Sequence, residues 1–390
     1  MPPRPDPSEP SLRAETSVTE GRPPRVTFVI SGLVVGGAER VLTAIANEWV
    51  QAGRTISIVT LDAPDRPPFF PVDPRIELRR LSLAGRSQGP AQAIITNLVR
   101  LRGLRRGIGR TDPDVVIAFM DCTNVLTLLA TIGRPWPILV ADRTARDPNT
   151  GRIWRLLRRI AYRRATLVIV QTYASAESMP AGLRDRTVTI PNPALDILAP
   201  DDHPEVVAEP LLVVAVGRLV VQKGYDLLVE AFGRVVDGIP GARLEIWGEG
   251  PERGRLATAI SERSLGRSVT LCGETRDPTQ AFRRSSLAVL SSRVEGFPNV
   301  VLEAMSLGRP VVAFDCTYGP ADIVRDGIDG RLVPAGDTQA LADAIVELLS
   351  SPVQREAMAK RALEVRTRFS MAAILATWDQ AIARAVGTRS

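Results

Sequence analysis

Residues 211–236 read LLVVAVGRLVVQKGYDLLVEAFGRVV, and this stretch decides the fold. The apolar run 211–216 predicts a buried β-strand, and apolar residues at helical spacing across 224–236 predict an amphipathic helix. The same order recurs towards the C-terminus, with predicted strands at residues 243–247, 268–272, 287–290, 310–314 and 330–333 and predicted helices at residues 251–263, 299–307 and 338–349. Because strands that alternate with helices form parallel sheets covered on both faces, the pattern predicts a doubly wound α/β domain.

A second series of the same kind precedes residue 190. Its predicted strands lie at residues 26–31, 55–61, 115–119, 138–141 and 167–171, and its clearest helices at residues 38–52 and 91–104. A chain of 390 residues is long for one domain, and the Pro-containing stretch 190–210 separates the two series. We therefore predict a disordered Pro-rich tail at residues 1–24, Rossmann-like domains at 25–198 and 199–370, and a C-terminal helix within 371–390 that packs back on the first domain.

The composition excludes several classes of protein. The three cysteines, Cys122, Cys272 and Cys316, have neither a zinc spacing nor a disulfide framework, and the only histidine is His203. Metal centres built on histidine and Ser–His or Cys–His nucleophiles are therefore not expected. The chain has no run of eighteen apolar residues and no apolar N-terminal segment, which favours a cytoplasmic protein.

A basic segment at residues 152–164 reads RIWRLLRRIAYRR, with apolar residues among the arginines. This pattern predicts an amphipathic helix. Two interpretations stay open: a solvated helix on the surface of an α/β domain, or a helix attracted to an anionic membrane surface at about 1 kcal/mol per basic residue. Nucleic acid is not an expected partner, because the chain carries no recognised nucleic-acid-binding module.

Glycines follow the first predicted strand, at the sheet edge where α/β proteins bind ligands. Gly36 and Gly37 precede a helix, so they are predicted to present backbone N–H groups to an anion. The spacing is not Gly-x-Gly-x-x-Gly, which disfavours a dinucleotide. With two such domains, we expect the ligand in a cleft between them.

Two further loops carry charged residues. Gly217 is followed by Arg218 and Lys223, two cations that suit a diphosphate, although solvated surface cations are the alternative. In the stretch 293–305, Glu295 and Glu303 are predicted to accept hydrogen bonds from sugar and ribose hydroxyls. Between them lies a predicted helix start, with Pro298 in the first turn, Asn299 as a cap and free N–H groups for phosphate. The residues of this start are Gly296, Phe297, Pro298, Asn299 and Val300.

Taken in order, these motifs resemble glycosyltransferase family 4, the retaining enzymes of the two-Rossmann GT-B architecture. The resemblance covers about residues 25 to 370 and rests on GGAER at 36–40, GRL at 217–219, QKG at 222–224, and EGFP at 295–298 with a second glutamate at 303. It implies that Arg218 and Lys223 bind the donor diphosphate, that Glu295 contacts the transferred sugar and that Glu303 contacts the ribose. We assign Arg218, Lys223 and Glu295 as the catalytic set.

The resemblance also implies an activity. It is the transfer of a hexose or N-acetylhexosamine from a nucleotide-diphosphate sugar, with UDP favoured and GDP-mannose as a further candidate, to a glycan or polyprenyl-linked acceptor in cell-surface polysaccharide synthesis. The first domain would then bind the acceptor, with Asn124, Asp142 and Arg143 as acceptor or sugar contacts, and the second the donor. Many relatives have a histidine near residues 119–124, which this chain lacks.

The sequence also bears on metal binding and on alternative functions. No Asp-x-Asp pattern is tied to a donor loop, so we predict no metal and no cofactor. Two alternatives remain: a nucleotide-sugar epimerase on the same scaffold, and a non-catalytic nucleotide-sugar-binding protein. The complete set of Arg218, Lys223, Glu295 and Glu303 argues against the second.

Overall fold

The computed structural model describes residues 22–65, 67–85, 90–143, 152–195, 209–275 and 277–387. The chain divides into two compact units: the first is Met1–Pro193 together with Met371–Ser390, and the second is Ala194–Ser370. Residues 1–21 of the predicted tail lie outside the described residues, as does the predicted domain boundary after residue 198, and His203.

The first unit contains, among its described residues, a seven-stranded parallel sheet of order β3-β2-β1-β4-β5-β6-β7. Strands β1, β2, β4, β5 and β6 are buried along their whole length, as a parallel sheet covered on both faces requires. The strands are β1 (Val26–Ile30), β2 (Ile56–Thr60), β3 (Glu77–Arg80), β4 (Val115–Phe119), β5 (Ile138–Ala141), β6 (Leu167–Val170) and β7 (Thr187–Thr189).

Two hydrophobic clusters cover the faces of this sheet. Successive side chains of a strand point to opposite faces, so Phe28 and Ile30 join one cluster and Val29 the other. The helices before the linker are α1 (Gly37–Gln51), α2 (Pro90–Gly109), α3 (Asp121–Ala130), α4 (Arg152–Ala161), α5 (Tyr173–Glu177) and α6 (Ala181–Arg184), with a 3-10 turn at Tyr162–Arg164.

The second unit has a six-stranded parallel sheet of order β10-β9-β8-β11-β12-β13 within the described residues. Its strands are β8 (Leu212–Val216), β9 (Arg243–Trp247), β10 (Val269–Gly273), β11 (Leu287–Leu290), β12 (Val311–Asp315) and β13 (Gly330–Pro334). In both sheets the first three strands are added towards one edge and the later strands towards the other. This is the doubly wound strand order of Rossmann-like domains. The predicted fold class, two Rossmann-like α/β domains, is confirmed.

The helices of the second unit lie between its strands and after them. They are α7 (Tyr225–Gly238), α8 (Arg253–Glu262), α9 (Pro278–Arg284), α10 (Asn299–Ser306), α11 (Pro320–Ile323), α12 (Thr338–Ser350), α13 (Pro352–Ala362) and α14 (Val365–Arg368), with a 3-10 turn at Val221–Lys223. Within the described residues, no helix of either unit combines the length and apolar content needed to cross a bilayer.

Strands β3 and β7 were missing from the sequence-based prediction. Both are edge strands of the first sheet, and each pairs with a single neighbour. Strand β3 reads Glu-Leu-Arg-Arg and is partly exposed, because an edge strand needs little apolar surface. Its sequence therefore lacks the apolar run by which the buried strands were recognised.

The C-terminal helix α15 (Met371–Gly387) belongs to the first unit. Its Trp378 is fully buried, stacks on Phe119 with ring centroids 6.2 Å apart and meets the edge of Trp49 at 6.4 Å. The first unit thus buries its largest aromatic cluster against the last helix of the chain.

Replacing Trp378 by alanine should reduce the free energy of unfolding by about 3–5 kcal/mol, since it empties a fully buried site. Urea unfolding followed by circular dichroism measures the loss. The matched control is Gln380→Ala, an exposed position on the same helix, which should change stability by less than about 0.5 kcal/mol. Equal effects of the two substitutions would show that α15 adds nothing to the core.

Candidate active site

The loop after β8 is shaped by close packing around Gly217 and Gly224. Gly224 has φ 63° and begins α7, and a Cβ atom at this position would lie 2.1 Å from the backbone oxygen of Ser291. A Cβ at Gly217 would lie 2.8 Å from the hydroxyl of Tyr225. Both positions therefore require glycine, and the loop that carries Arg218 and Lys223 has little room to move.

Lys223 and Glu295 form an ion pair at the carboxyl edge of the second sheet. The Lys223 Nζ atom lies 2.6 Å from Glu295 Oε1, and the Ser292 hydroxyl donates to the same oxygen at 2.5 Å. The Glu295 side chain is 10% exposed and that of Lys223 21%. The structure thus brings together two of the three predicted catalytic residues, which are far apart in sequence.

Two groups near this pair, Tyr225 and Cys316, have raised pKa values. Burial, with a further contribution from the Glu295 carboxylate, raises the pKa of Tyr225 above its usual value. Burial and the same carboxylate raise the pKa of Cys316 to about 12. Tyr225 and Cys316 are therefore neutral at physiological pH, and the charges of this edge belong to its lysine, arginine and carboxylate side chains.

The segments that follow β8 and β11 are joined by hydrogen bonds and an ion pair. Arg293 pairs with Asp226 at 2.6 Å and donates its backbone N–H to Gln222 O at 2.8 Å, while the Ser291 hydroxyl donates to Lys223 O at 3.0 Å. Because β8 and β11 are adjacent in the sheet, these contacts make the two segments one continuous surface. Sequence reasoning missed Asp226 and Ser292, although Ser292 lies just after a buried strand, where ligand contacts are expected.

Arg218 differs from Lys223 in its surroundings. Its side chain is exposed, and it forms no ion pair with any described residue. The Arg218 guanidinium is therefore available to an incoming anion.

The start of α10 differs from the prediction in two respects. Pro298 has no N–H group, and the N–H of Asn299 donates to Phe297 O at 3.0 Å, so the prediction of four free N–H groups at 297–300 is wrong at these two positions. Pro298, not Asn299, occupies the N-cap position. Hydrogen-bond donation to phosphate by the backbone N–H groups of Phe297 and Val300 stays a prediction. The contact of Glu303 with ribose hydroxyls also stays a prediction, and this residue lies on α10 and is half-buried.

In the first unit, the carboxylate of Glu39 lies against the predicted anion site at Gly36 and Gly37. A Cβ at Gly36 would lie 2.2 Å from Glu39 Oε2, so the Glu39 side chain folds back onto the start of α1. Glu39 is buried, which raises the pKa of its carboxyl group. A phosphate at this helix start would have to displace or protonate Glu39, a constraint that the sequence did not indicate.

Asn124 and Asp142 both lie at the carboxyl edge of the first sheet. Asn124 is fully buried and donates to Ala141 O at 3.0 Å and to the Tyr162 hydroxyl at 3.1 Å. A side chain with no exposed surface supports the site without touching an acceptor, which corrects the predicted contact. Asp142 is 8% exposed and is ion-paired with Arg158 of α4.

Arg143 and Asp142 contact opposite faces of the sheet, since Phe119 and Trp378 beside Arg143 belong to one hydrophobic cluster and Tyr162, beside the Asp142 partner Arg158, belongs to the other. The Arg143 guanidinium lies 4.8 Å from the ring of Phe119 and 5.8 Å from that of Trp378, and it donates to the side-chain oxygen of Asn192. Burial lowers the pKa of Arg143 to about 9. Two of its nitrogens, Nε and Nη2, have no hydrogen-bond partner among the described residues.

No group of three or more His, Cys, Asp or Glu side chains in the described residues is arranged to hold a metal ion.

Comparison with solved structures identifies the fold. The structure of an S. aureus TarM variant, in complex with fondaparinux, alpha-GlcNAc-glycerol and UDP, superposes with a TM-score of 0.74 at 17% identity, covering 92% of this chain and 99% of that one. The protein therefore has the GT-B fold, the two-domain α/β architecture of glycosyltransferases.

Curated relatives match the chain over different lengths. The GalNAc-alpha-(1->4)-GalNAc-alpha-(1->3)-diNAcBac-PP-undecaprenol alpha-1,4-N-acetyl-D-galactosaminyltransferase of Campylobacter jejuni is 25% identical over 362 residues, covering 92% of this chain and 98% of that protein. The exopolysaccharide phosphotransferase SCO2592 of Streptomyces coelicolor is 39% identical over 173 residues, but these are 44% of this chain and only 18% of that protein.

Family models match each unit separately. The glycosyl transferase 4-like domain matches residues 36–193 in the first unit, and the group 1 glycosyl transferases match residues 210–351 in the second. Each model covers less than half of the chain; together with the curated relatives they support a glycosyltransferase of the GT4 type.

Gly224→Ala should destabilise the second unit by about 3 kcal/mol or more, because left-handed strain adds to a clash with the end of β11. Thermal unfolding measures the effect. Gly336→Ala is the matched control: its φ is also positive, at 82°, but no atom lies within 4 Å of the added Cβ. The control should lose only about 1–2 kcal/mol. Equal losses would contradict the close packing of Gly224 on Ser291.

Proposed function

We propose that the protein is a retaining glycosyltransferase that moves a hexose or N-acetylhexosamine from a nucleotide-diphosphate sugar to a glycan or lipid-linked acceptor in cell-surface polysaccharide synthesis. The observation that carries the proposal is the Lys223–Glu295 pair, whose lysine lies on the loop that also carries the exposed Arg218. It sets a carboxylate for sugar hydroxyls next to a cation for phosphate, as transfer from an activated sugar requires.

Lys223 can bind Glu295 and a donor diphosphate at the same time. Its ammonium group has three N–H donors, and the contact with Glu295 Oε1 uses one of them. The remaining donors suit the oxygens of a diphosphate, with Arg218 as the second cation. As the bond from the anomeric carbon to the phosphate oxygen breaks, these fixed charges would offset the negative charge that grows on the leaving group.

Retention of configuration is part of the proposal because of the family resemblance. On a same-face route the departing phosphate oxygen accepts the acceptor's proton, so no separate base is needed. The proposal includes no metal ion, since Arg218 and Lys223 supply positive charge at the diphosphate. A UDP donor is favoured, because the TarM complex contains UDP, with GDP-mannose as a further candidate.

The acceptor proposal rests on the Campylobacter relative, whose name gives a glycan carried on PP-undecaprenol. Such an acceptor lies at a membrane. On α4, Leu156, Leu157 and Ile160 are 58%, 41% and 54% exposed, and Arg155 and Arg159 beside them are also exposed. We therefore include the cytoplasmic face of an anionic membrane as a partner, since exposed aliphatic residues with flanking cations are typical of interfacial helices.

Incubation with a panel of UDP-, GDP- and ADP-sugars tests the activity. We expect one nucleotide class to stabilise the protein thermally and to be slowly hydrolysed to free sugar and nucleotide. An isomerised donor without released nucleotide would indicate an epimerase, and binding without turnover would indicate a binding protein.

Lys223→Met and Arg218→Gln should each lower turnover of that donor by about a hundredfold or more, because each removes a fixed charge at the leaving group. Arg255→Gln, on α8 of the same unit and 74% exposed, is the control and should keep full turnover. Circular dichroism establishes that the variants are folded. A folded Lys223→Met protein with normal turnover would refute the role of the pair.

Flotation with vesicles of phosphatidylglycerol and phosphatidylcholine tests the membrane surface. The protein should float at low salt, and Leu157→Glu with Ile160→Glu should weaken binding by at least about tenfold, since each aliphatic side chain that leaves water contributes about 1.5–3 kcal/mol. Val353→Glu, an 81% exposed aliphatic position in the other unit, is the control. Failure of the parent protein to float would remove the membrane from the proposal.

A further inference from the structure

Helix α4 departs from an ordinary surface helix at four positions. Its aliphatic residues Leu156, Leu157 and Ile160 face solvent, while Arg158 is turned inward and its side chain is only 19% exposed. A helix that served only to cover the sheet would bury its aliphatic residues and expose its arginines. The inward arginine therefore needs an explanation of its own.

Arg158 bridges two carboxylates at the carboxyl edge of the first sheet. Its Nη2 atom contacts Asp142, which follows β5, and its Nε atom lies 3.0 Å from Asp121, the first residue of α3. The guanidinium also lies over the ring of Tyr162 at 5.0 Å. One side chain thus joins α4 to the ends of two neighbouring strands, β4 and β5, because a guanidinium can donate to two acids in fixed directions.

A second side chain of the same helix strengthens this connection. The Trp154 indole N–H donates to Asp121 Oδ2 at 3.0 Å. The inner face of α4 therefore holds Asp121 through two residues and Asp142 through one. Just before Asp121, Met120 has φ 75°. Residues other than glycine rarely adopt this backbone conformation, so the surrounding contacts must hold it in place.

We propose that Arg158 is a positioning residue that couples the outer face of α4 to the acceptor side of the first unit. An anionic lipid surface bound by Leu156, Leu157 and Ile160 would fix α4, and Arg158 would carry that constraint to Asp142 and Asp121. The inference rests on the proposed function, because it takes the membrane as the partner of α4 and this edge of the sheet as the acceptor side.

Hydrogen–deuterium exchange of the full-length protein, with and without phosphatidylglycerol vesicles, tests the coupling. Vesicles should slow exchange in α4 directly. In the parent protein they should also slow exchange in the first turn of α3 and around residues 142–143, by about fivefold or more. In Arg158→Gln the slowing in α4 should remain, because the outer face is intact, whereas the slowing at α3 and residues 142–143 should disappear.

Two further variants separate coupling from simple loss of structure. Arg106→Gln removes an exposed arginine of α2 in the same unit, outside the surface assigned to the membrane, and should keep both effects. Arg158→Lys keeps the charge but reaches one carboxylate at a time, so it should retain only part of the slowing at α3. If Arg158→Gln does not fold, the comparison of Arg158→Lys with the parent protein decides, and equal slowing in the two overturns the proposal.

Other outcomes also overturn it. Slowing at α3 that survives in folded Arg158→Gln, or slowing confined to α4 in the parent protein, would show that no coupling passes through Arg158. If vesicles have no effect on α4 at all, the lipid surface is not the input and the inference fails. Donor hydrolysis measured on the same preparation distinguishes these failures from failure of the glycosyltransferase proposal, because the donor residues lie in the other unit.

Discussion

The ion pair between Lys223 and Glu295 is the contact on which the candidate site of the second unit depends. Both side chains are largely withdrawn from water, so each would be costly to hold without the other. The Ser292 hydroxyl adds a second hydrogen bond to the same carboxylate oxygen, and the glycine at 224 lets the loop approach Ser291 closely enough for the pair to form. The distance between the acid proposed to bind the sugar and the cation proposed to bind phosphate is thereby fixed within the protein itself.

The buried strands of both sheets were predictable because each is a short apolar run followed by a turn and an amphipathic helix. All six strands of the second sheet were located, including β9, β10 and β13, which are only partly buried but keep an apolar core of residues. The edge strands Glu77–Arg80 and Thr187–Thr189 escaped because water or polar groups can satisfy one side of them. Their assignment depends on pairing with a neighbour, which no local pattern encodes.

For the candidate site, the sequence predicted which residues matter but not the contacts between them. Lys223 and Glu295 were identified because they follow buried strands, but their pairing joins positions 72 residues apart and could not be derived from spacing. The same holds for Glu39, whose carboxylate folds back on the helix start that was expected to be open. Asn124 was recognised by resemblance, yet only the packing shows that it is buried beneath the surface it was expected to form.

The position of Trp378 has a consequence for the order in which the protein acquires its structure during synthesis. The first unit's aromatic cluster joins Phe28 and Trp49 to a helix that is translated only after the whole second unit. Nascent chains that stop before residue 371 must carry this cluster uncovered. The second unit, which is continuous in sequence, can complete its core earlier, so the half of the protein translated first is the last to be finished.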